Sequence, residues 1–144
     1  MSKGSKIKLF LVDDDAVYLK LLEIEFLNNG DFMIETFATG ELCLERLSEN
    51  PDLVILDYHL DSIDKSAMNG INTLDQIKSL RPEMPVIMLS SQDKIEVAIE
   101  CMHHKAYDNV VKSETAFIRL KKIITSILRY EKMEKELKWY MEKI

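Results

Sequence analysis

The sequence predicts an α/β domain: a (βα)5 three-layer sandwich with one parallel sheet in the order 2-1-3-4-5 and an extended C-terminal helix. Three observations carry that reading. Strand-like and helix-like patterns alternate strictly along the 144 residues, five of each. Ile7–Val12, Leu53–Leu56 and Val86–Leu89 are continuous apolar runs or nearly so, as strands buried on both faces are. Four of the runs deliver a polar or charged group at their carboxyl end. Alternation of this kind gives a parallel sheet with helices on both faces and right-handed crossovers.

The elements follow in order. After Ile7–Val12, Asp14 or Asp15 can cap a helix carrying Leu19, Leu22 and Phe26 on one face, and Asn29-Gly30 stops it. Met33–Ala38 includes Glu35 and Thr36, as an edge strand would. Glu41–Ser48 reads as a short helix before Pro51. Leu53–Leu56 is the third strand, and a polar loop runs from Tyr58 to Asn69. A helix over Ile71–Leu80 stops near Pro82, and Val86–Leu89 is the fourth strand. Asp93–Lys105 is helical, with Asp93 and Glu96 spaced as a capping box. Asn109–Val111 is the last strand, and Ser113 can cap the final helix. The mixed-polarity second strand belongs at the edge of a flavodoxin-like order, which sets strands one and three side by side and brings Asp13, Asp14 and Asp57 together.

Composition narrows the function. The chain is 47% apolar and 31% charged, as a soluble globular domain is. Residues 1–112 hold 11 basic and 20 acidic side chains, a balance of −9, and residues 113–144 hold 8 and 5, a balance of +3. An acidic body argues against nucleic-acid binding by this domain. No segment is apolar and long enough to span a bilayer, and no secretion signal is visible, so the expected compartment is the cytoplasm. Cys43 and Cys101 lack ligand-like spacing and read as free thiols in the core or at its boundary.

The strand ends carry the chemistry. Asp13, Asp14, Asp57, Ser90 and Lys112 would share one sheet edge, where open parallel sheets hold ligands. Clustered carboxylates repel by roughly 4 kcal/mol per pair at about 4 Å, so a raised pKa or a cation must compensate. Oxygen-only donors select a hard ion such as Mg²⁺. An aspartate in such a site can act as a nucleophile toward phosphorus, with Lys112 and Ser90 neutralising and binding the phosphoryl oxygens. Singly, each residue has a plainer use: Asp15 as a helix cap, Ser90 as a turn hydroxyl, Lys112 as a surface lysine. Only their joint placement is specific. Two other functions fit parts of the set. A Mg²⁺-dependent phosphohydrolase would want a second acid two residues after its nucleophile, where this chain has His59. A non-phosphorylated scaffold would not need the complete set.

The segments Leu11-Val12-Asp13-Asp14-Asp15, Asp52–Asp57, Pro85–Ser91 and Ala106–Lys112 together resemble the receiver domain of two-component response regulators, over about residues 6–130. The resemblance implies that Asp57 accepts a phosphoryl group from a histidine kinase or phosphotransfer protein. It implies Asp14, Asp57 and the backbone carbonyl of His59 as Mg²⁺ ligands, with Asp13 acting mainly through a metal-bound water. Ser90 would be the switch hydroxyl and Lys112 the phosphate-binding amine. His59 and Gln92 would tune the lifetime of the phosphoaspartate. Such a domain signals rather than turning over substrate. Three departures stand out. The loop from Asp57 to Gly70 is about five residues longer than the family pattern, with Asp61-Ser62-Ile63-Asp64-Lys65 in the space and the usual proline absent, which bears on partner access. Asn109 stands where an aromatic switch residue is frequent. Ser113 replaces a frequent proline, which makes a cis peptide after Lys112 unfavourable by about 3 kcal/mol.

No proline or glycine interrupts the chain after Ser113, and a helix to Ile144 would run roughly 48 Å at 1.5 Å per residue. Leu120, Ile123, Ile127, Tyr130, Glu134, Leu137, Met141 and Ile144 follow a 3-4-3-4 spacing, broken in apolar character at Glu134. Residues 1–130 are expected to form the receiver body and 131–144 a helical extension. That extension would contact a second copy as a coiled coil, or connect to an output domain.

Overall fold

A computed structural model describes residues 6–144; the first five residues of the expected body lie outside the described residues. Five strands form one parallel sheet: β1 (Ile7–Val12), β2 (Phe32–Phe37), β3 (Leu53–Asp57), β4 (Val86–Ser90) and β5 (Asp108–Val111), in the order β2-β1-β3-β4-β5. The helices between and after them are α1 (Ala16–Asn28), α2 (Gly40–Glu45), α3 (Gly70–Leu80), α4 (Ile95–His103) and α5 (Ala116–Lys143). Both the strand order and the alternation agree with the sequence-based expectation.

Side chains alternate across a strand, and the two faces of the sheet build two cores. Phe10, Val12, Val54, Leu56, Val86 and Met88 pack with Cys43, Leu74, Ile77 and Cys101 of α2, α3 and α4. Leu9, Leu11, Leu53, Ile55, Ile87, Leu89 and Val110 pack with Leu22 and Phe26 of α1 and with Ala116, Leu120, Ile124 and Ile127 of α5. Both cysteines are free and buried. Burial pushes the Cys43 thiol up to about 12 and the Cys101 thiol up to about 11, so neither is a ready thiolate.

Local details correct four expectations. The Glu41–Ser48 helix is split into α2 and a 3₁₀ turn at Leu47–Glu49. The Asp93/Glu96 capping box does not form. Helix α4 starts later, with Lys94 at its N-cap and no side-chain cap bond; Val97 N and Ala98 N donate to the Lys94 carbonyl at 3.2 Å. Ser113 does not cap α5. Its Oγ accepts from Thr115 N at 3.3 Å, and the helix begins beyond it at Ala116. The seam of α5 is also broader than the 3-4 spacing: Ile124, outside that spacing, is buried, and Ile123 packs partly buried against the same core, because a straight helix of 3.6 residues per turn drifts off a 3-4 repeat by about 20° per heptad.

Helix α5 has 28 residues and a length of roughly 42 Å. Ile127 is its last buried residue, and Leu137, Trp139, Tyr140, Met141 and Ile144 are exposed. Among the described residues no helix is long and apolar enough to cross a membrane.

Candidate functional site: an acidic pocket at the carboxyl edge of the sheet

The register places the acids. Val12 pairs with Leu56, so the residues after them, Asp13 and Asp57, emerge side by side at the carboxyl edge. Asp57 pairs in turn with Leu89, and Ser90 with Val111, which aligns Ser90 and Lys112 on the same rim. Asp15 is the cap of α1, its Oδ1 accepting from Val17 N and Tyr18 N at 3.1 Å each. Asp13 and Asp14 are thereby left for the pocket. Asp13, Asp14 and Asp57 each bring a carboxylate oxygen within 4.8 Å of the others. Asp13 and Asp57 are each 2% exposed, which makes the cluster costly without a counter-charge.

Lys112 supplies part of it. Its Nζ lies 2.8 Å from Asp13 Oδ2 and 3.6 Å from Asp57 Oδ1. The ammonium also sits 4.6 Å above the Tyr18 ring. Burial works against its charge, but the bond to Asp13 and the charges of Asp57 and Asp13 outweigh that and raise its pKa. Asp57 has the opposite problem. Burial first, and then the charge of Asp13, push its carboxyl up to about 7, against the pull of Lys112 and the His59 N–H at 3.3 Å.

The remaining residues frame this pair. Ser90 is buried, and its Oγ donates to the carbonyl of Gln92 at 3.3 Å. Lys112 N donates to the Ser90 carbonyl at 2.8 Å, tying the two strand ends together. Gln92 itself is exposed, and His59 is half-buried. Asn109 is half-buried with its Oδ1 4.0 Å from Cys101 Sγ, while Tyr107 is exposed, so neither offers an aromatic ring to the hydroxyl. A cleft of about 510 Å³ opens above the acids, lined by Asp14, Val17, Asp57, Ile63, Ser91 and Lys112 among others. Among the described residues no peptide bond is cis, the one after Lys112 included.

The donor set fits a hard divalent cation. The buried Oδ2 of Asp13 has the Lys112 ammonium at 2.8 Å and no other polar partner. Three carboxylates with one ammonium leave a formal charge of about −2, and oxygen donors in that number suit Mg²⁺. Three contacts were not legible in the sequence. Tyr18 stacks on Lys112. Tyr58 Oη donates to Glu100 of α4, which with burial pushes the phenol up to about 12. The loop after β3 bonds to Asp14 through the backbone N–H groups of Ser62 and Ile63. Nothing in the residue types announces any of them.

The chain is 35% identical over 117 residues to the protein-glutamate methylesterase/protein-glutamine glutaminase of Clostridium acetobutylicum, covering 78% of this chain and 32% of that protein. It is 30% identical over 107 residues to the transcriptional regulatory protein ZraR of Escherichia coli, covering 74% of this chain and 23% of that one. The chain thus spans about a third or less of the length of these curated relatives. The crystal structure of the receiver domain of NtrX from Brucella abortus superposes with a TM-score of 0.74 at 28% identity, covering 84% of this chain and 98% of that one. A model of the response regulator receiver domain matches residues 9–125, and the chain belongs to that family, the phosphoacceptor modules of two-component signalling.

Proposed function

We propose that Asp57 is the phosphoryl acceptor of this receiver, and that Asp14, Asp57 and the carbonyl of His59 hold Mg²⁺ beside it. The observation that carries the reading is the convergence of three carboxylates within 4.8 Å, two of them buried, with Lys112 between Asp13 and Asp57. The ion, when bound, offsets the charge of the carboxylates and of the incoming phosphoryl oxygens.

The protein's own groups do the rest. A carboxylate oxygen of Asp57 attacks the phosphorus of a phosphohistidine on a kinase or phosphotransfer protein. The O–P bond forms as the P–N bond breaks, and the electron pair leaves with the imidazole nitrogen. Lys112 stands 3.6 Å from Asp57 and bonds a phosphoryl oxygen by swinging a short way from Asp13. Ser90 turns its Oγ from the Gln92 carbonyl to another phosphoryl oxygen. That turn frees the β4–α4 loop, and the phosphorylated state differs from the unmodified one in the contacts of this rim. His59 and Gln92 flank the acceptor and set water access to the acyl phosphate.

The extension of α5 is proposed to engage a second copy of the chain, or to lead toward an output element. Its exposed Leu137, Met141 and Ile144 support this. The functions in the relatives' names belong to chains much longer than the stretch matched.

The test is incubation with acetyl phosphate and Mg²⁺ followed by intact mass. The wild type gains one phosphoryl group and Asp57→Asn gains none. Equal labelling of the variant rejects Asp57 as acceptor.

A further inference from the structure

Residues Asp61–Lys65 lie where the chain is longer than the receiver pattern, and they fold back onto the acidic pocket. Asp14 Oδ2 accepts from Ser62 N at 3.0 Å and from Ile63 N at 3.2 Å. Ser62 Oγ donates to the backbone carbonyl of His59 at 3.1 Å. One dipeptide therefore bonds to both the Asp14 carboxylate and the His59 carbonyl. The segment is anchored at both ends. Leu60 is buried at its start. Asp64 Oδ1 accepts from Ser66 N at 3.0 Å and Ser66 Oγ at 2.7 Å, and Met68 N donates to Glu41 Oε2 at 2.9 Å. Neither Asp61 nor Asp64 joins the carboxylate cluster, so the insertion brings donors to the pocket and no ligands.

An N–H or O–H donor and a cation compete for the lone pairs of the same oxygen. We propose that the Asp61–Lys65 insertion sets how tightly the pocket takes its divalent cation, with Ser62 and Ile63 holding Asp14 and the His59 carbonyl in hydrogen bonds that the ion must replace. The proposal rests on the reading of the pocket as a Mg²⁺ site. Ser62 and Ile63 are positioning residues here: they touch the oxygens that hold the ion and no reacting atom. A pocket guarded by three donated bonds fills at higher Mg²⁺ concentration than the same acids without them. Losing one such bond changes an equilibrium by about 2- to 10-fold.

The experiment is a titration of the full chain with MgCl₂, followed by ¹⁵N-resolved NMR, for the wild type and Ser62→Ala. Ser62 is exposed, so the variant keeps the core intact, and a urea midpoint in EDTA checks this. Ser62→Ala is expected to bind Mg²⁺ about 2- to 10-fold more tightly, the share of the one bond it loses. In the wild type the amide protons of Ser62 and Ile63 are expected to exchange slowly in EDTA and faster at saturating MgCl₂. Equal or weaker Mg²⁺ binding by Ser62→Ala overturns the proposal, as does amide exchange that Mg²⁺ leaves unchanged. Failure of the wild type to bind Mg²⁺ at all would instead remove the metal reading beneath it, which the acetyl phosphate labelling tests separately.

Discussion

Replacing Asp57 with Asn should stabilise the metal-free protein, although it removes the acceptor. The oxygens of Asp13 and Asp14 come within 4.8 Å of Asp57. At an effective dielectric near 20 each repulsion is about 3.5 kcal/mol. Lys112 at 3.6 Å returns about 4.5 kcal/mol. The balance is unfavourable by about 2 kcal/mol, before the cost of burying the charge. Asn keeps the shape and still accepts the His59 N–H. The pH dependence follows from Asp57 holding its proton up to about 7 when folded, against an ordinary value of 3.8. Folding takes up a proton between those values, so the wild type loses stability as pH rises through that window, and the variant escapes this loss. In EDTA at pH 8, urea denaturation should show Asp57→Asn more stable by about 2 kcal/mol, with the gain less than half as large at pH 5. Adding Mg²⁺ should stabilise the wild type more than the variant, narrowing the gap. A variant no more stable than wild type at pH 8, or a gain that does not shrink on acidification, would refute the electrostatic account of the pocket.

Other perturbations follow from the same contacts. Lys112→Met should do the reverse of Asp57→Asn, lowering the unfolding free energy from urea denaturation in EDTA by about 3 kcal/mol, because Asp13 is left buried without its counter-charge; adding Asp13→Asn to it should restore most of the loss. Gly70→Ala should destabilise by about 2 kcal/mol or more, since a Cβ there would lie 2.4 Å from the Asp57 carbonyl and 2.6 Å from that of Tyr58, both backbone atoms; a midpoint within error of wild type would contradict this. Ending the chain at Tyr130 should leave unfolding stability within about 0.5 kcal/mol, because the residues removed are almost all exposed. Sedimentation equilibrium at tens of micromolar should give a dimer for the full chain and a monomer for the shortened one, and equal monomeric masses would reject association through the extension.

What could be foreseen in the sequence divides along a physical line. The sheet was legible because burial on both faces demands apolar runs such as Leu53–Leu56, and a break to Asp57 marks where such a run meets solvent. Strand order and the convergence of Asp13, Asp14 and Asp57 followed from the edge character of Glu35 and Thr36. Residue type alone could not say which acid caps α1; the structure gives that work to Asp15 through its bonds to Val17 and Tyr18. The capping expectations at Asp93 and Ser113 failed for a related reason. Side-chain spacing fits a cap at several neighbouring positions, whereas the start of a helix is decided by where the chain leaves the sheet. At α4 the Lys94 carbonyl takes the first helical bonds, one residue beyond Asp93.

The loop after β3 is the extreme case. Its composition advertises acids, yet neither Asp61 nor Asp64 joins the carboxylate cluster. Instead Asp64 closes a turn with Ser66, and the groups that reach the pocket are mostly backbone N–H. Every residue but proline carries that donor, so no pattern of side chains reveals it. The acids that hold charge at the pocket were readable because charge is a property of residue type. The contacts that modulate them were not, because they depend on the path of the backbone. Substitutions elsewhere in the insertion should therefore matter only as far as they move the Ser62 and Ile63 amides relative to Asp14, and a charge reversal such as Asp61→Lys should change Mg²⁺ affinity far less than a deletion that takes those amides away.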